Sequence, residues 1–124
     1  MLVSGLLDDD ALVTEISDAH RELIRLLENS GLCIIEEQEF PPYTVDIYLP
    51  DVHLGVEVDG PHHEPKRDAR RDEQLLNDYL LPVLHVSTKL RPEDALTQIY
   101  GFVLRNIFGT EGRIRAAREL CPWV

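Results

Sequence analysis

Long apolar runs are missing from this 124-residue chain. The longest apolar stretch, residues 96–108, is interrupted by Gln98, Arg105 and Asn106 and falls short of the ~20 residues that a membrane span needs. The start, MLVSGLLDDD, lacks the basic region that opens a signal peptide. We therefore expect no membrane span and no secretory leader.

Cysteine is scarce as well, since only Cys33 and Cys121 occur. They lie far apart and match neither a zinc-ligand spacing nor a disulfide framework. We expect both to be free thiols in a reducing compartment, which places the chain in the cytoplasm or at the nucleoid. The sequence also has no glycine-rich phosphate loop, no Ser-His-Asp order and no internal repeat.

Basic residues are outnumbered, with 12 lysines and arginines against 23 aspartates and glutamates and a net charge of −11. This excess argues against a nucleic-acid partner, because proteins that bind nucleic acids use Lys and Arg to neutralise phosphates. The acidity is uneven, which weakens that objection. Residues 1–39 contain ten acids and two bases, whereas residues 40–124 contain thirteen acids and ten bases.

The hydrophobic pattern predicts seven elements in the order α-β-β-β-α-β-α. They cover residues 14–30, 32–38, 43–49, 54–60, 66–80, 82–87 and a long last helix that begins near Pro92. This order gives a mixed four-stranded sheet flanked by helices, α/β or α+β in class. We expect one domain over residues 1–124, with a flexible start at 1–13 and a C-terminal extension at 111–124.

Acidic residues interrupt the apolar pattern of the second and third strands. Side chains alternate between the faces of a strand, so Val45 and Ile47 should face the core while Asp46 faces away. The same alternation in the next strand separates Glu57 and Asp59 from the valines between them. An antiparallel hairpin of these strands would therefore bring all three carboxylates to one side.

Like charges opposed on neighbouring strands destabilise a sheet unless a cation or a proton compensates them. Clustered oxygen ligands suit Mg²⁺ or Mn²⁺ before zinc. His63 follows the hairpin closely, and Asp68 and Asp72 are one helical turn apart, on one helix face. Such a set can activate water for attack on a phosphate ester. The alternative is that these acids only solvate an exposed sheet face.

The order of these motifs resembles the endonuclease domains related to the very-short-patch mismatch-repair endonuclease. The matching features are a strand with Asp46, EVDG at 57–60, His63, RRD at 70–72 and PVLHVS at 82–87. Those domains belong to the restriction-endonuclease-like PD-(D/E)xK superfamily, in the branch with a Glu-Asp-x-His-Asp signature. The resemblance covers roughly residues 17–88 and implies a restriction-endonuclease-like fold and a metal-dependent DNA endonuclease that hydrolyses phosphodiester bonds.

The resemblance also implies roles for single residues. Asp46 and Glu57 would hold Mg²⁺, or Mn²⁺ in its place, and the main-chain carbonyl of Val58 would be a further ligand. His63 matches the histidine that handles the proton of the attacking water or the leaving group. Asp72 matches the helix aspartate of the signature, with Asp68 as the second choice for that position.

Two departures from the family pattern concern Asp59 and the first helix. Asp59 stands where many members have the catalytic lysine, so we place it in the catalytic set as a support for the metal ligands. The family has an acidic residue in the first helix, but His20 occupies that position in this sequence. Glu22 is two positions away and roughly 200° around the helix.

Four bases lie within six positions of the next helix, and they are Lys66, Arg67, Arg70 and Arg71. In a nuclease they would contact the phosphate backbone, which positions DNA without reading its sequence. A solvated helix start is the plainer explanation of the same run. Because the N-terminal segment is so acidic, we expect a partner, a homodimer or a larger nuclease assembly to help in finding DNA.

A second resemblance competes with the first. The stretch EVDGPHH at 57–63 is similar to the strand and turn of RAP domains, a related fold in RNA-associated proteins that is read as binding rather than cleaving. The alternative function is therefore a catalytically inactive nucleic-acid-binding module, with RNA as the less favoured ligand. Of the other histidines, we expect His62 in a loop and His85 in the core with a satisfied partner.

Overall fold

A computed structural model describes residues 18–61 and 64–123, so the predicted flexible start at 1–13 lies outside the described residues. The helices and strands are residues 18–29 (α1), Ile35–Phe40 (β1), Tyr43–Leu49 (β2), Leu54–Asp59 (β3), Pro65–Tyr79 (α2), Val83–Ser87 (β4), Pro92–Arg105 (α3) and Thr110–Leu120 (α4). The protein is α+β in class, with a four-stranded mixed sheet flanked by helices, as the sequence predicted.

The strands lie in the sheet in the order in which they follow one another in the chain. β1 pairs with β2 and β2 with β3 in antiparallel fashion, whereas β3 and β4 are parallel. Parallel neighbours need a crossover connection, and α2 is that connection. The return from β3 to β4 therefore places α2 over the sheet beside these two strands.

Two apolar clusters fill the space on the two faces of the sheet. The first joins α1 and α3 to the sheet, and its buried members are Leu23, Ile24, Leu27, Ile47, Leu49, Leu54, Val56, Val86, Ala95, Ile99 and Phe102. The second lies beneath α2 and the end of α4, and its buried members are Phe40, Val45, Tyr48, Leu75, Leu81 and Cys121. Helices therefore cover both faces.

A break in the alternation of β2 moves one predicted core residue to the other layer. The sequence predicts that Val45 and Ile47 share a face, but Val45 packs in the second cluster and Ile47 in the first. Glu37, across from Asp46 on β1, has a left-handed φ of 51°. Such a residue interrupts the regular pleat, as in a β-bulge. The prediction for Val45 was wrong because alternation holds only while the strands stay regular.

The C-terminal part also differs from the prediction. The last predicted helix ends at Arg105, and α4 occupies most of the expected extension at 111–124. Gly109 precedes α4 with a φ of 82°, a conformation that glycine adopts without steric cost and that interrupts a helix. Phe108, at the end of the apolar stretch 96–108, lies beyond the end of α3 and is 89% exposed.

β1 begins later than predicted, at Ile35 rather than residue 32. The turn between β1 and β2 consists of Pro41 and Pro42, joined by a cis peptide bond. β1 therefore runs on to Phe40, which pairs with Tyr43.

Both cysteines are free, as predicted, with Cys33 exposed and Cys121 buried. Burial raises the pKa of the Cys121 thiol to about 11, so the thiol stays protonated at neutral pH. Among the described residues, no helix combines the length and the apolar character that crossing a membrane requires.

A buried histidine ties the turn between β2 and β3 to the end of α2. His53 is fully buried, and its Nε2 lies 2.8 Å from the carbonyl oxygen of Tyr79. Because that oxygen can only accept, Nε2 donates, and Nδ1 accepts from the Tyr48 hydroxyl at 2.7 Å. Burial lowers the pKa of His53, so the folded protein holds it neutral.

Replacing His53 with asparagine tests this connection, since asparagine tolerates the left-handed φ of 51° but does not titrate. The unfolded chain takes up a proton below its ordinary pKa of ~6.5, whereas folded His53 resists it. The stability from neutral His53 is thus present above that pH and is lost as the pH falls. We expect the advantage of the wild type over His53→Asn in urea unfolding to shrink by about 1 kcal/mol between about pH 7.5 and about pH 5.5. An unchanged advantage would contradict this.

Candidate functional site

The sheet face beneath α2 changes from apolar to charged along β3 and β4. Gly55 begins this face of β3, and a side chain there would touch Val83 and Leu81 in the second apolar cluster. Two residues on, Glu57 pairs in register with His85 of β4. Because the carboxyl ends of parallel strands meet at one edge, the charged groups gather there, where open sheets commonly bind ligands.

Asp46 and Glu57 are fixed by bonds to main-chain amides of the neighbouring strand. The Asp46 N–H donates to Glu57 Oε2 at 3.1 Å, and the Val58 N–H donates to Asp46 Oδ2 at 2.8 Å. The two carboxylates thus accept hydrogen bonds from main-chain amides at this end of the β2–β3 pair. The regular pairing of the two strands joins residues 47–49 to residues 54–56 and does not reach this point. These hydrogen bonds hold both carboxylates in place.

Arg71 of α2 forms an ion pair with Glu57 Oε1. Glu57 is 5% exposed, and a carboxylate this deeply buried is costly unless a partner compensates its charge. Arg71 Nε and Asp72 Oδ1 are both buried and lie 4.0 Å from each other. Neither atom has a hydrogen-bond partner among the described residues. Arg71 is therefore an internal cation of the site, although the sequence grouped it with the surface bases.

His85 bridges two carboxylates from different elements. Its Nδ1 lies 2.8 Å and 3.0 Å from the oxygens of Asp59, and its Nε2 lies 2.5 Å from Asp72 Oδ2. The hydrogen bond with Asp72, together with that to Asp59, raises the pKa of His85 to about 9 against the opposing effect of burial. At neutral pH His85 is therefore a second internal cation.

A cluster able to hold a metal ion lies beside this bridge. One ligand atom each from Asp59, Asp68 and His85 lies within 4.8 Å of the other two. These residues come from β3, α2 and β4, so tertiary structure brings them together. The set includes Asp68, which the sequence made the second choice, whereas the favoured Asp72 faces the far nitrogen of the histidine.

An open groove runs between the end of β3 and the first turns of α2. Its volume is about 310 Å³, and its lining residues are Thr44, Asp46, Glu57, Val58, Asp59, Gly60, Pro61, Arg67, Asp68 and Arg71. This volume lies at the small end of the range for ligand pockets. A second cavity adjoins the groove at Asp59 and also contains His85 and Lys89.

Acidic groups dominate the site. Its carboxylates among the described residues are Asp46, Glu57, Asp59, Asp68 and Asp72. Arg71 pairs with Glu57, and His85 pairs with Asp59 and Asp72. Carboxylate oxygens gathered in this way are the ligands that hard divalent cations prefer.

The predicted surface bases separate into two groups. Lys66, Arg67 and Arg70 are exposed on the first turns of α2, and Arg67 also lines the groove. Arg71 points inward to Glu57 instead. The exposed bases are placed to meet a polyanion that approaches the groove, and their role in nucleic-acid binding stays a prediction.

The groove is lined by four of the predicted site residues, Asp46, Glu57, Val58 and Asp59. Asp72 is connected to it by His85, which contacts both Asp72 and Asp59. The predicted proton carrier His63 lies outside the described residues.

Sequence reasoning missed His85 and Lys89 as residues of this site. The signal for His85 was present, because it alternates with Leu84 and Val86 of the first apolar layer and so had to leave that layer. The expectation that His85 has satisfied partners was right, but those partners are site carboxylates.

No protein-family model matches the chain, and comparisons with curated proteins and with solved structures found no match either. The interpretation of this site therefore depends on its geometry and chemistry.

Replacing Arg71 with methionine should expose the dependence of Glu57 on its partner. Loss of the guanidinium leaves a buried carboxylate uncompensated, so we expect the free energy of unfolding to fall by about 2 kcal/mol in urea denaturation. Arg67→Met is the matched control, because the ion-pair partner of Arg67 among residues 18–61 and 64–123 is the exposed Glu64, at 4.0 Å. Its loss should stay below about 0.5 kcal/mol.

The double variant Arg71→Met with Glu57→Gln should recover part of that stability, since the uncompensated charge is gone. Equal losses for Arg71→Met and Arg67→Met would show that the ion pair does not stabilise the fold.

Proposed function

We propose that this protein is a metal-dependent endonuclease domain of the restriction-endonuclease-like fold that hydrolyses phosphodiester bonds of DNA. The observation that carries the proposal is the gathering of carboxylates in one groove at the end of β3, next to exposed bases on α2. The order of sequence motifs and the α+β architecture with a mixed four-stranded sheet agree with it. DNA is preferred over RNA as substrate, on the strength of the family resemblance alone.

The donor atoms of the groove fit Mg²⁺, with Mn²⁺ as the alternative. Asp46 and Glu57 offer carboxylate oxygens, and the main-chain carbonyl of Val58 adds a third hard ligand on the same groove. When bound, the ion would activate a water molecule and offset the negative charge of the phosphate. Glu57 already pairs with Arg71, so it would share its carboxylate or release the guanidinium.

The chain's own residues would supply the proton transfers and hold the substrate. Hydrolysis breaks one P–O bond, removes a proton from the attacking water and gives one to the leaving oxygen. His85, hydrogen-bonded to both Asp59 and Asp72, can hold a proton at either ring nitrogen. His63 is the second candidate, from the family pattern.

Substrate contacts would come from the exposed cations. Lys66, Arg67 and Arg70 would contact phosphates on one side of the groove, and Lys89 would do so in the adjoining cavity. Asp59 occupies the usual lysine position, so the role of that lysine would fall to other cations of the site, such as Arg71 or Lys89. A homodimer or a larger nuclease assembly would add positive surface that this acidic chain lacks.

A second candidate function is nucleic-acid binding without cleavage. The ion pair between Arg71 and Glu57 favours it, because the guanidinium occupies a carboxylate that a nuclease would give to its metal ion. A binding module of this kind would retain its affinity in EDTA and would leave DNA intact.

Cleavage of plasmid DNA and of single-stranded DNA with added Mg²⁺ or Mn²⁺ tests the proposal. We expect the wild type to cleave and Asp46→Asn to lose at least about 100-fold in rate, since metal assistance contributes several kcal/mol. Glu73→Gln is the charge-matched control, because Glu73 is exposed on α2 and does not line the groove. Equal rates for wild type and Asp46→Asn would reject the assignment of Asp46. Binding in EDTA without cleavage would favour the second candidate.

The exposed bases of α2 are tested by the salt dependence of DNA binding. Changing Lys66, Arg67 and Arg70 together to glutamine should weaken binding and reduce the slope of log affinity against log salt by about 3, roughly one per lost phosphate contact. The charge-matched control changes three exposed arginines of the C-terminal region, Arg105, Arg115 and Arg118. If both triple variants change the slope equally, α2 does not contact the phosphates.

A further inference from the structure

The three residues Asp59, Asp68 and His85 offer a different donor set from the oxygen ligands of Asp46 and Glu57. Their ligand atoms, two carboxylate oxygens and one imidazole nitrogen, lie within 4.8 Å of one another. Ligands bound at ~2.1 Å to one ion are roughly 3–4 Å apart, so small side-chain rotations would close the set around an ion. The three residues are half-buried, which limits competition from water.

Asp72 gives His85 the orientation that a metal ligand needs. Histidines that bind metals almost always donate their other ring N–H to a carboxylate or carbonyl, which fixes the tautomer and the ring plane. Asp72 Oδ2 lies 2.5 Å from His85 Nε2, which leaves Nδ1 as the nitrogen that faces Asp59 at 2.8 Å. Asp72 therefore stands behind His85 in the way that a carboxylate commonly stands behind a histidine ligand in metal sites.

An ion at this position would also leave the ion pair of the groove in place. Glu57 binds Arg71 through Oε1 and the Asp46 amide through Oε2. Neither Glu57 nor Asp46 belongs to the cluster of Asp59, Asp68 and His85. Asp59 lines both the groove and the adjoining cavity, so an ion could enter from either.

We propose that Asp59, Asp68 and His85 Nδ1 form a binding site for a divalent transition-metal ion, which takes the place of the Nδ1 proton, and that Asp72 is the positioning residue for His85. A mixed nitrogen and oxygen donor set suits Mn²⁺, Co²⁺ or Zn²⁺ better than Mg²⁺ or Ca²⁺, which prefer oxygen alone. The site would supply the groove with an ion separate from the one assigned to Asp46 and Glu57. Its part in cleavage rests on the proposed function, whereas its binding of metal does not.

Mn²⁺ binding to the full chain tests the site. The protein is freed of metal with EDTA, dialysed and titrated with Mn²⁺, and free Mn²⁺ is followed by electron paramagnetic resonance. We expect saturable binding by the wild type, with Asp68→Asn, His85→Gln and Asp72→Asn each weakening it by at least about tenfold. Glu73→Gln, a change at an exposed carboxylate of α2 that does not line the groove, should change the affinity by less than about twofold.

Folding of each variant is checked by thermal denaturation. Asp68 is a half-buried residue of α2, so we expect Asp68→Asn to fold. This variant therefore still tests the site if a change at His85 prevents folding. No saturable binding by the wild type would overturn the site. So would any result in which Glu73→Gln weakens Mn²⁺ binding as much as Asp68→Asn does.

The two proposals fail separately. Mn²⁺ bound as expected, with no cleavage of DNA under any metal, would remove the nuclease and keep the metal site. Mg²⁺-dependent cleavage that needs Asp46, with Mn²⁺ binding indifferent to Asp68 and His85, would keep the nuclease and remove this site.

Discussion

The parallel pairing of β3 with β4 is the constraint on which the candidate site depends. Because the two strands run in the same direction, their charged ends meet at one edge, and Glu57 lies beside His85 in the register. The crossover that this pairing demands is α2, which brings Asp68, Arg71 and Asp72 over the same edge. An antiparallel β4 would have replaced the helix with a short turn and left the carboxylates of the hairpin without partners from above.

Within this frame, the hydrogen bonds of the site decide which groups can move. Asp46 and Glu57 are held by main-chain amides, so their positions belong to the sheet itself. Arg71 and His85 are held by side chains, and these pairs can exchange partners without opening the sheet. Asp46 and Glu57 are thus the fixed acids of the site, whereas Asp59 and Asp72 are held through the side chain of His85.

Much of the architecture could be predicted from periodicity, and the parts that could not depend on tertiary contacts. Alternation along the hairpin correctly brought Asp46, Glu57 and Asp59 to one groove. The same rule failed for Val45, since a left-handed residue on the neighbouring strand disturbs the pleat. Sequence could not show which of several adjacent arginines turns inward, because that depends on how α2 is rotated over the sheet. Periodicity alone also could not rank Asp68 against Asp72, as both occupy one helix face, so the preference for Asp72 came from the family resemblance.

The two internal cations have a consequence for how the chain acquires its shape. A sheet edge with five carboxylates would ordinarily repel itself while the strands assemble. Arg71 and protonated His85 bring compensating charge from within the same polypeptide, so the edge can close without a bound cation. Folding therefore does not require a metal ion, and the ion that we propose for the groove would enter a domain that has already folded.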